Sequence, residues 1–159
     1  MRPMDRQPKR TPAGDALSRL IVQVLQLNGL LMAAGDALAA PAGQTAARWQ
    51  VLAAVEDAPL SVAQIAQALN LARQSVQRVA DLLVHDRLAV YADNPAHLRS
   101  KLLRLTPKGR TALQTIQGAQ RVWVDALAAG ISEAKLRATS AVLSELQQAL
   151  RAQGAPQDD

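Results

Sequence analysis

A chain of 159 residues suffices for one compact domain, or one domain with an added dimer layer, and its lack of cysteine excludes disulfides and thiol chemistry. About half of it is apolar, but Trp49, Trp123 and Tyr91 are the only aromatics; the core must be aliphatic, and a stacking platform for single-stranded nucleic acid is excluded. The net charge of +5, with a pI near 10.4, points to an acidic partner, nucleic acid first.

The opening MRPMDRQPKRTPAG sets Arg2, Arg6, Lys9 and Arg10 against Asp5 and holds three prolines, so residues 1–14 are expected to form a disordered basic arm. The apolar run LIVQVLQLNGLLMAAG follows, and ALAAPA resembles a signal cleavage site. Gln23, Gln26 and Asn28 interrupt that run, and it falls short of the ~20 apolar residues of a membrane span, so we expect no membrane partner and a cytoplasmic protein. Residues 15–40 instead predict one long helix. Leu17, Leu20, Val24, Leu27, Leu31, Gly35 and Leu38 recur at three and four, and Pro41 and Gly43 end it.

A second helix is predicted over 45–57, with Thr45 as cap and Trp49, Leu52 and Val55 facing inward. In the third, Ser61 and Gln64 have capping-box spacing, and Leu60 and Ile65 suit a hydrophobic staple. Asn70 falls where the chain must turn sharply, and Asn tolerates the left-handed conformation. The fourth helix spans about 72–86. Next, LAVYA and KLLRL flank DNPAHLRS, which suggests a β-hairpin with a long loop. Thr106 and Pro107 then start a fifth helix reaching about 129, where Gly130 stops it. Ser132 caps a sixth, whose stripe is Leu136, Val142, Leu143, Leu146 and Leu150.

The organisation expected is an arm (1–14), a dimerisation helix (15–43), a winged helix-turn-helix lobe (44–105), C-terminal dimerisation helices (106–153) and a tail (154–159). The fold class is mainly α, with a small β-hairpin wing and a long helical dimerisation layer. The lobe is too small to cover the apolar faces of the long helices, and a second copy of the chain is the simplest cover.

On a helical wheel, Val76, Val79, Ala80 and Leu83 form the inner face of the fourth helix, and Gln74, Gln77, Arg78, Asp81 and His85 lie opposite. Its first two turns display Arg73, Gln74, Ser75, Gln77 and Arg78 without an acid. A helix in the major groove contacts bases with those turns; Arg binds guanine and Gln adenine. One such face is usually just solvated. The capped helix before it, the basic hairpin after it, and nine basic against five acidic residues in 44–110 favour double-stranded DNA as the partner. The candidate DNA contacts are Arg73, Gln74, Ser75, Gln77 and Arg78, with Arg99, Ser100 and Lys101 in the hairpin, and Thr45 and Ser61 at helix starts.

Residues 15–152 resemble the MarR family of bacterial transcriptional regulators. The likeness rests on SVAQIAQALNLARQSVQRVADLL, on LARQSVQRVADLLVHDRLAVY, on ARWQVLAAV and, most specifically, on NPAHLRSKLLRLTPKGRTAL. It implies a homodimer shaped like a triangle, with helices one, five and six as the dimer layer, each recognition helix in a major groove and Arg99 as the wing-tip arginine in a minor groove. The family often carries an acid and a further arginine where this chain has His97 and Leu98. The acid braces the wing there; here the wing is held differently, or Asp81 or Asp93 braces it. Gln77 replaces a commoner small hydroxyl residue. The resemblance also implies a small effector, commonly an aromatic acid or phenol, in a pocket walled by residues such as Leu27, Leu31, Trp49 and Leu52, although these residues suit plain core better.

His85 and His97 have no cysteine or carboxylate cluster beside them, so no metal site is expected. No phosphate loop, nucleophile motif or carboxylate pair appears, so neither an enzyme nor a cofactor is expected. The function expected is a DNA-binding regulator, a repressor acting as a homodimer on a palindromic operator. The alternative is a winged-helix module for protein interaction or low-specificity DNA coating.

Overall fold

In the computed structural model, which describes residues 10–154, the first helix begins earlier than the apolar spacing suggests. Thr11 is extended and its hydroxyl accepts a hydrogen bond from the Gly14 amide, with Pro12 at the first helical position, so α1 spans Pro12–Ala39. The arm expected over 1–14 therefore loses its last residues to the helix: a Thr-Pro pair among basic residues resembles an arm but is also a cap. The rest of the arm (1–9) and the tail end (155–159) lie outside the described residues. The expected membrane limit is also corrected. Pro12–Ala42 is long and apolar enough to cross a membrane by length and composition, with mean hydropathy 1.4. Gln costs a helix little, so the glutamines do not interrupt it.

A 3-10 turn, Ala40–Ala42, contains Pro41, and Gly43 follows at φ 67°, where a side chain would be strained. Thr45 caps α2, Ala46–Ala54. This helix stops three residues short of the predicted end, with Val55 as its C-cap. Asp36 accepts from the Ala46 amide at 2.7 Å, and a Cβ on Gly35 would lie 2.9 Å from that of Ala46, so α1 and α2 cross closely.

Leu60–Ser61 forms a short strand, β1, that the sequence reading did not foresee, since two residues have no period to detect. It pairs with Leu102–Leu105 (β3), which also pairs with Ala89–Ala92 (β2), giving an antiparallel sheet in the order β1-β3-β2. Tyr91 lies opposite Leu103, and Leu60 faces Leu103 from the other side. Helix α3 is Val62–Leu69, with the expected Ser61–Gln64 capping box. Asn70 is left-handed at φ 53°, and the Leu71 amide reaches back to the Ala66 carbonyl. Helix α4 is Arg73–His85. Arg87 closes it at φ 62° in the same kind of left-handed turn, at a position where nothing in the residue type announces one.

Helix α5 is Pro107–Ala128. The Thr106 hydroxyl donates to the Leu88 carbonyl and accepts from the Gly109 amide, while Gly109 passes so close to Leu88 that only hydrogen fits on its α-carbon. The chain divides between Gln117 and Gly118 into two units. The first has an aliphatic core in which Leu52, Ile65, Leu83, Leu103, Leu113 and Ile116 are fully buried. The second holds the end of α5 and α6, Glu133–Gly154, whose start is capped by Ser132. In it Val122, Leu127, Leu136 and Leu150 are exposed.

Candidate nucleic-acid interface

Val76, Ala80 and Leu83 bury one face of α4 in the core, which turns Arg73, Gln74, Ser75 and Arg78 outward. Ala72, at the N-cap, has no side chain able to cap the first-turn amides. Those amides and the helix dipole favour an anion such as a phosphate. The β-hairpin brings its loop back beside this end. Arg73, Gln77, Tyr91, Arg99, Ser100 and Lys101, with Val62 and Ala63, line a groove of about 300 Å³. Five of the ten residues singled out as DNA contacts thus meet in one groove, and Gln74, Ser75 and Arg78 continue its helical wall.

The hairpin loop is ordered by its own turns. The Asn94 side chain accepts from the Ala96 amide, and the amides of His97 and Ser100 reach back to the carbonyls of Asn94 and His97. Arg99 and Lys101 are exposed, and Leu98 is 95% exposed. The wing is tied to the helix at its root rather than its tip. Tyr91 on β2 donates its hydroxyl proton to Asp81 Oδ1 at 2.7 Å, and Gln77 Nε2 donates to the same carboxylate oxygen at 2.9 Å and to Tyr91 Oη at 2.8 Å. Asp81 is therefore the acid that braces the wing, one of the three open possibilities. Gln77 is not a freely solvated outer residue but half-buried in this cluster. Tyr91 was noted in the sequence only as a rare aromatic; its pairing across fourteen residues of chain leaves no local signal.

Burial first, and then the Asp81 carboxylate, push the Tyr91 phenol up to about 12 from its usual 10.0. A raised phenol pKa stabilises the fold fully below the ordinary value, and that contribution is lost as pH rises through the folded value. Tyr91 is the only tyrosine. Its phenolate absorbance should therefore appear near pH 12, and Asp81→Asn should move it down while leaving it above 10.0, because burial persists. A midpoint at the ordinary value in the folded protein would remove the brace.

Two of the expected contacts serve as helix caps. Ser61 is 6% exposed, and its hydroxyl is occupied by the Gln64 amide; it shapes the groove floor from inside. Thr45 caps α2, and Arg48 of that helix pairs with Asp86 at the far end of α4. Asp86 lies thirteen residues along α4 from Arg73, about 20 Å at about 1.5 Å per residue. The hydrogen bond from Arg48 and then that from His85 hold the Asp86 carboxyl below its usual range. Arg48 is thus spent on the scaffold.

The expected effector pocket does not form from the residues named for it. Leu52 is wholly buried in the core, Trp49 is half-buried beside Gly35, and Leu27 and Leu31 are 52% and 46% exposed on α1. Within one chain, the core leucine and the outward leucine stripe line no common cavity. A cavity of about 650 Å³ lies instead between the turn after α1 and the first turns of α5, lined by Pro41, Gln44, Asp86, Leu88, Lys108 and Thr115 among others. Gln44 Oε1 is buried without a partner among the described residues. Among the described residues no group of three or more His, Cys, Asp or Glu side chains could hold a metal ion.

Comparison with known proteins places this geometry. A family model described as MarR family matches residues 42–100. Uncharacterised proteins of Mycobacterium tuberculosis and Mycobacterium bovis are 43% identical over 139 residues, covering 87% of this chain and 97% of theirs. Among solved structures, the M. tuberculosis regulator MosR in complex with DNA matches with a TM-score of 0.69 at 23% identity, over 82% of this chain and 97% of that one. AbsC, a MarR family transcriptional regulator from Streptomyces coelicolor, matches at 0.77 and 15%, over 92% and 99%. CouR from Rhodococcus jostii, bound to p-coumaroyl-CoA, matches at 0.71 and 17%, over 78% and 88%.

Proposed function

The chain belongs to the MarR family, whose members regulate transcription and are not enzymes, and from that premise we propose that it represses by binding a palindromic operator as a homodimer and lets go when a small molecule binds. One observation carries the reading: an uncapped recognition-helix start and a basic hairpin loop face each other across one groove. Arg73, Gln74, Ser75, Gln77 and Arg78 address the major groove, and Arg99, Ser100 and Lys101 the phosphates and the neighbouring minor groove. The ion pairs formed among the described residues use Arg48, His85 and Arg137, so these cations keep their charge for a partner.

The homodimer follows from surface that one chain leaves open. Leu25 is 67% and Leu30 71% exposed on α1, and the second unit exposes Val122 and Leu150 similarly. Patches of this kind mark a protein partner or a membrane, and a second copy satisfies the twofold operator as well. In this reading the hydropathy of α1 is that of a subunit interface. The effector site is the cavity beside Lys108, where an ammonium group, two threonine hydroxyls and apolar walls suit a small aromatic acid. Chain movement there would pull on the Leu88 turn and hence on the wing.

Footprinting on the gene's own upstream fragment tests the proposal. Two protected half-sites about one helical turn apart are expected. Arg78→Ala should cost about 1–3 kcal/mol and relax preference at one base position. Diffuse binding at low salt without a footprint would instead identify a DNA-coating or protein-docking module.

A further inference from the structure

Glutamine on a recognition helix ordinarily reads adenine with both ends of its amide, accepting from N6–H and donating to N7. Gln77 lies on the groove wall of α4, yet its nitrogen is already engaged twice, by Asp81 Oδ1 at 2.9 Å and Tyr91 Oη at 2.8 Å. We propose that Gln77 reads DNA as a hydrogen-bond acceptor alone, selecting a base that presents an exocyclic amine to the major groove, and that Tyr91 and Asp81 impose this by holding its amide nitrogen at the root of the wing. The inference rests on the DNA-binding reading above.

The direction of each bond follows from the inventory of protons. A carboxylate only accepts. Tyr91 has one hydroxyl proton and gives it to Asp81 at 2.7 Å, so its oxygen can only accept from Gln77. Turning the Gln77 amide over would set its carbonyl oxygen against the Asp81 carboxylate and the Tyr91 lone pairs. Three acceptors would then share one proton, so the cluster holds a single amide orientation. What remains for DNA is Oε1. It can accept from adenine N6 or cytosine N4. Guanine (O6 and N7) and thymine (O4 and a methyl group) present it with no donor. Because Tyr91 sits half-buried on β2, opposite Leu103, the strut is anchored in the sheet and not carried by a mobile side chain. The same strut that orients the wing therefore alters the code of the helix.

Selection from a randomised duplex library, using the full chain as wild type, Gln77→Ala and Tyr91→Phe, tests this. Gln77→Ala should relax one position of the enriched motif. At that position the wild type should accept adenine and cytosine and disfavour guanine and thymine by about tenfold or more. Replacing that adenine by 7-deazaadenine, which lacks the N7 acceptor, should leave the wild-type Kd within about twofold. Tyr91→Phe removes one of the two acceptors that hold the amide nitrogen, so its preference should narrow toward adenine, and 7-deazaadenine should then cost it about fivefold or more. Asp81→Asn is the second probe, and helical circular dichroism confirms that each variant is folded. A wild type that demands adenine and loses binding on 7-deazaadenine, that prefers guanine or thymine, or whose motif is indifferent to Gln77→Ala would overturn the proposal while leaving the regulator intact. So would a folded Tyr91→Phe chain with the wild-type preference. No enriched motif for the wild type would overturn the DNA-binding reading itself, and this inference with it.

Discussion

Operator affinity is expected to fall by about 10³–10⁵-fold between about 50 and 200 mM salt, the loss that follows when a dimer making about six to ten phosphate contacts no longer gains from counterion release. The basis is a set of cations not neutralised within the chain. Arg73 and Arg78 stand exposed on α4, Arg99 and Lys101 on the hairpin loop, while the ion pairs among the described residues take up Arg48, His85 and Arg137. Combining Arg99→Ala with Lys101→Ala removes four positive charges from a dimer. The slope of log K against log salt should then become shallower by about 3 to 4, since each neutralised phosphate contributes about 0.9. Fluorescence anisotropy over a salt series measures both quantities. Lys101→Ala alone should lose affinity on all sequences alike, because a phosphate contact positions the protein rather than identifies bases, whereas the loss of Arg99 should also relax any A·T preference beneath the wing. An unchanged slope would show that the wing does not touch the phosphates.

Gly109→Ala should be the most damaging single methyl group in the molecule. A Cβ there would lie 2.0 Å from the Leu88 carbonyl oxygen and 3.0 Å from its carbon. Backbone, not a flexible side-chain end, must give way. That carbonyl also receives the Thr106 amide and hydroxyl, so moving it disrupts the cap of α5 and the turn out of α4 together. Overpacking of this kind costs about 3 kcal/mol, and the lost hydrogen bonds add to it. Thermal unfolding should occur about 6–12 °C lower than in the wild type. Gly118→Ala is the matched control in the same helix: nothing lies within 4 Å of the added carbon, and alanine favours helix by up to about 1 kcal/mol. Equal melting points for the two variants would mean that the Leu88 approach is not what the glycine serves.

Much of the architecture was legible because it follows from local rules. The Ser61–Gln64 box, the left-handed Asn70, the Thr106-Pro107 start and the inner face of α4 each depend on residues within a turn or two of one another. Where reading failed, the cause lay in distance. Thr11 was lost in the arm because cap residues and arm residues have the same composition. Strand β1 exists only because Leu103 and Leu102 come to lie beside it. Leu27, Leu31, Trp49 and Leu52 are all apolar and periodic, and nothing in that pattern separates an outward stripe from a core residue.

The sequence by itself determined the class of molecule: an aliphatic, cysteine-free, basic helical chain with a helix-turn-helix unit and a wing, similar over residues 42–100 to the MarR family. Periodicity, capping and net charge are properties of short stretches and of totals, so they survive without coordinates. Only the tertiary structure decided what individual polar groups are free to do. It spent Arg48 on Asp86 and the Ser61 hydroxyl on a helix cap, and it joined Gln77 to Tyr91 and Asp81 across the root of the wing. A side chain's donors and acceptors are committed by whatever the fold brings within about 3 Å of them. That assignment depends on contacts between distant parts of the chain, and residue type alone does not contain it.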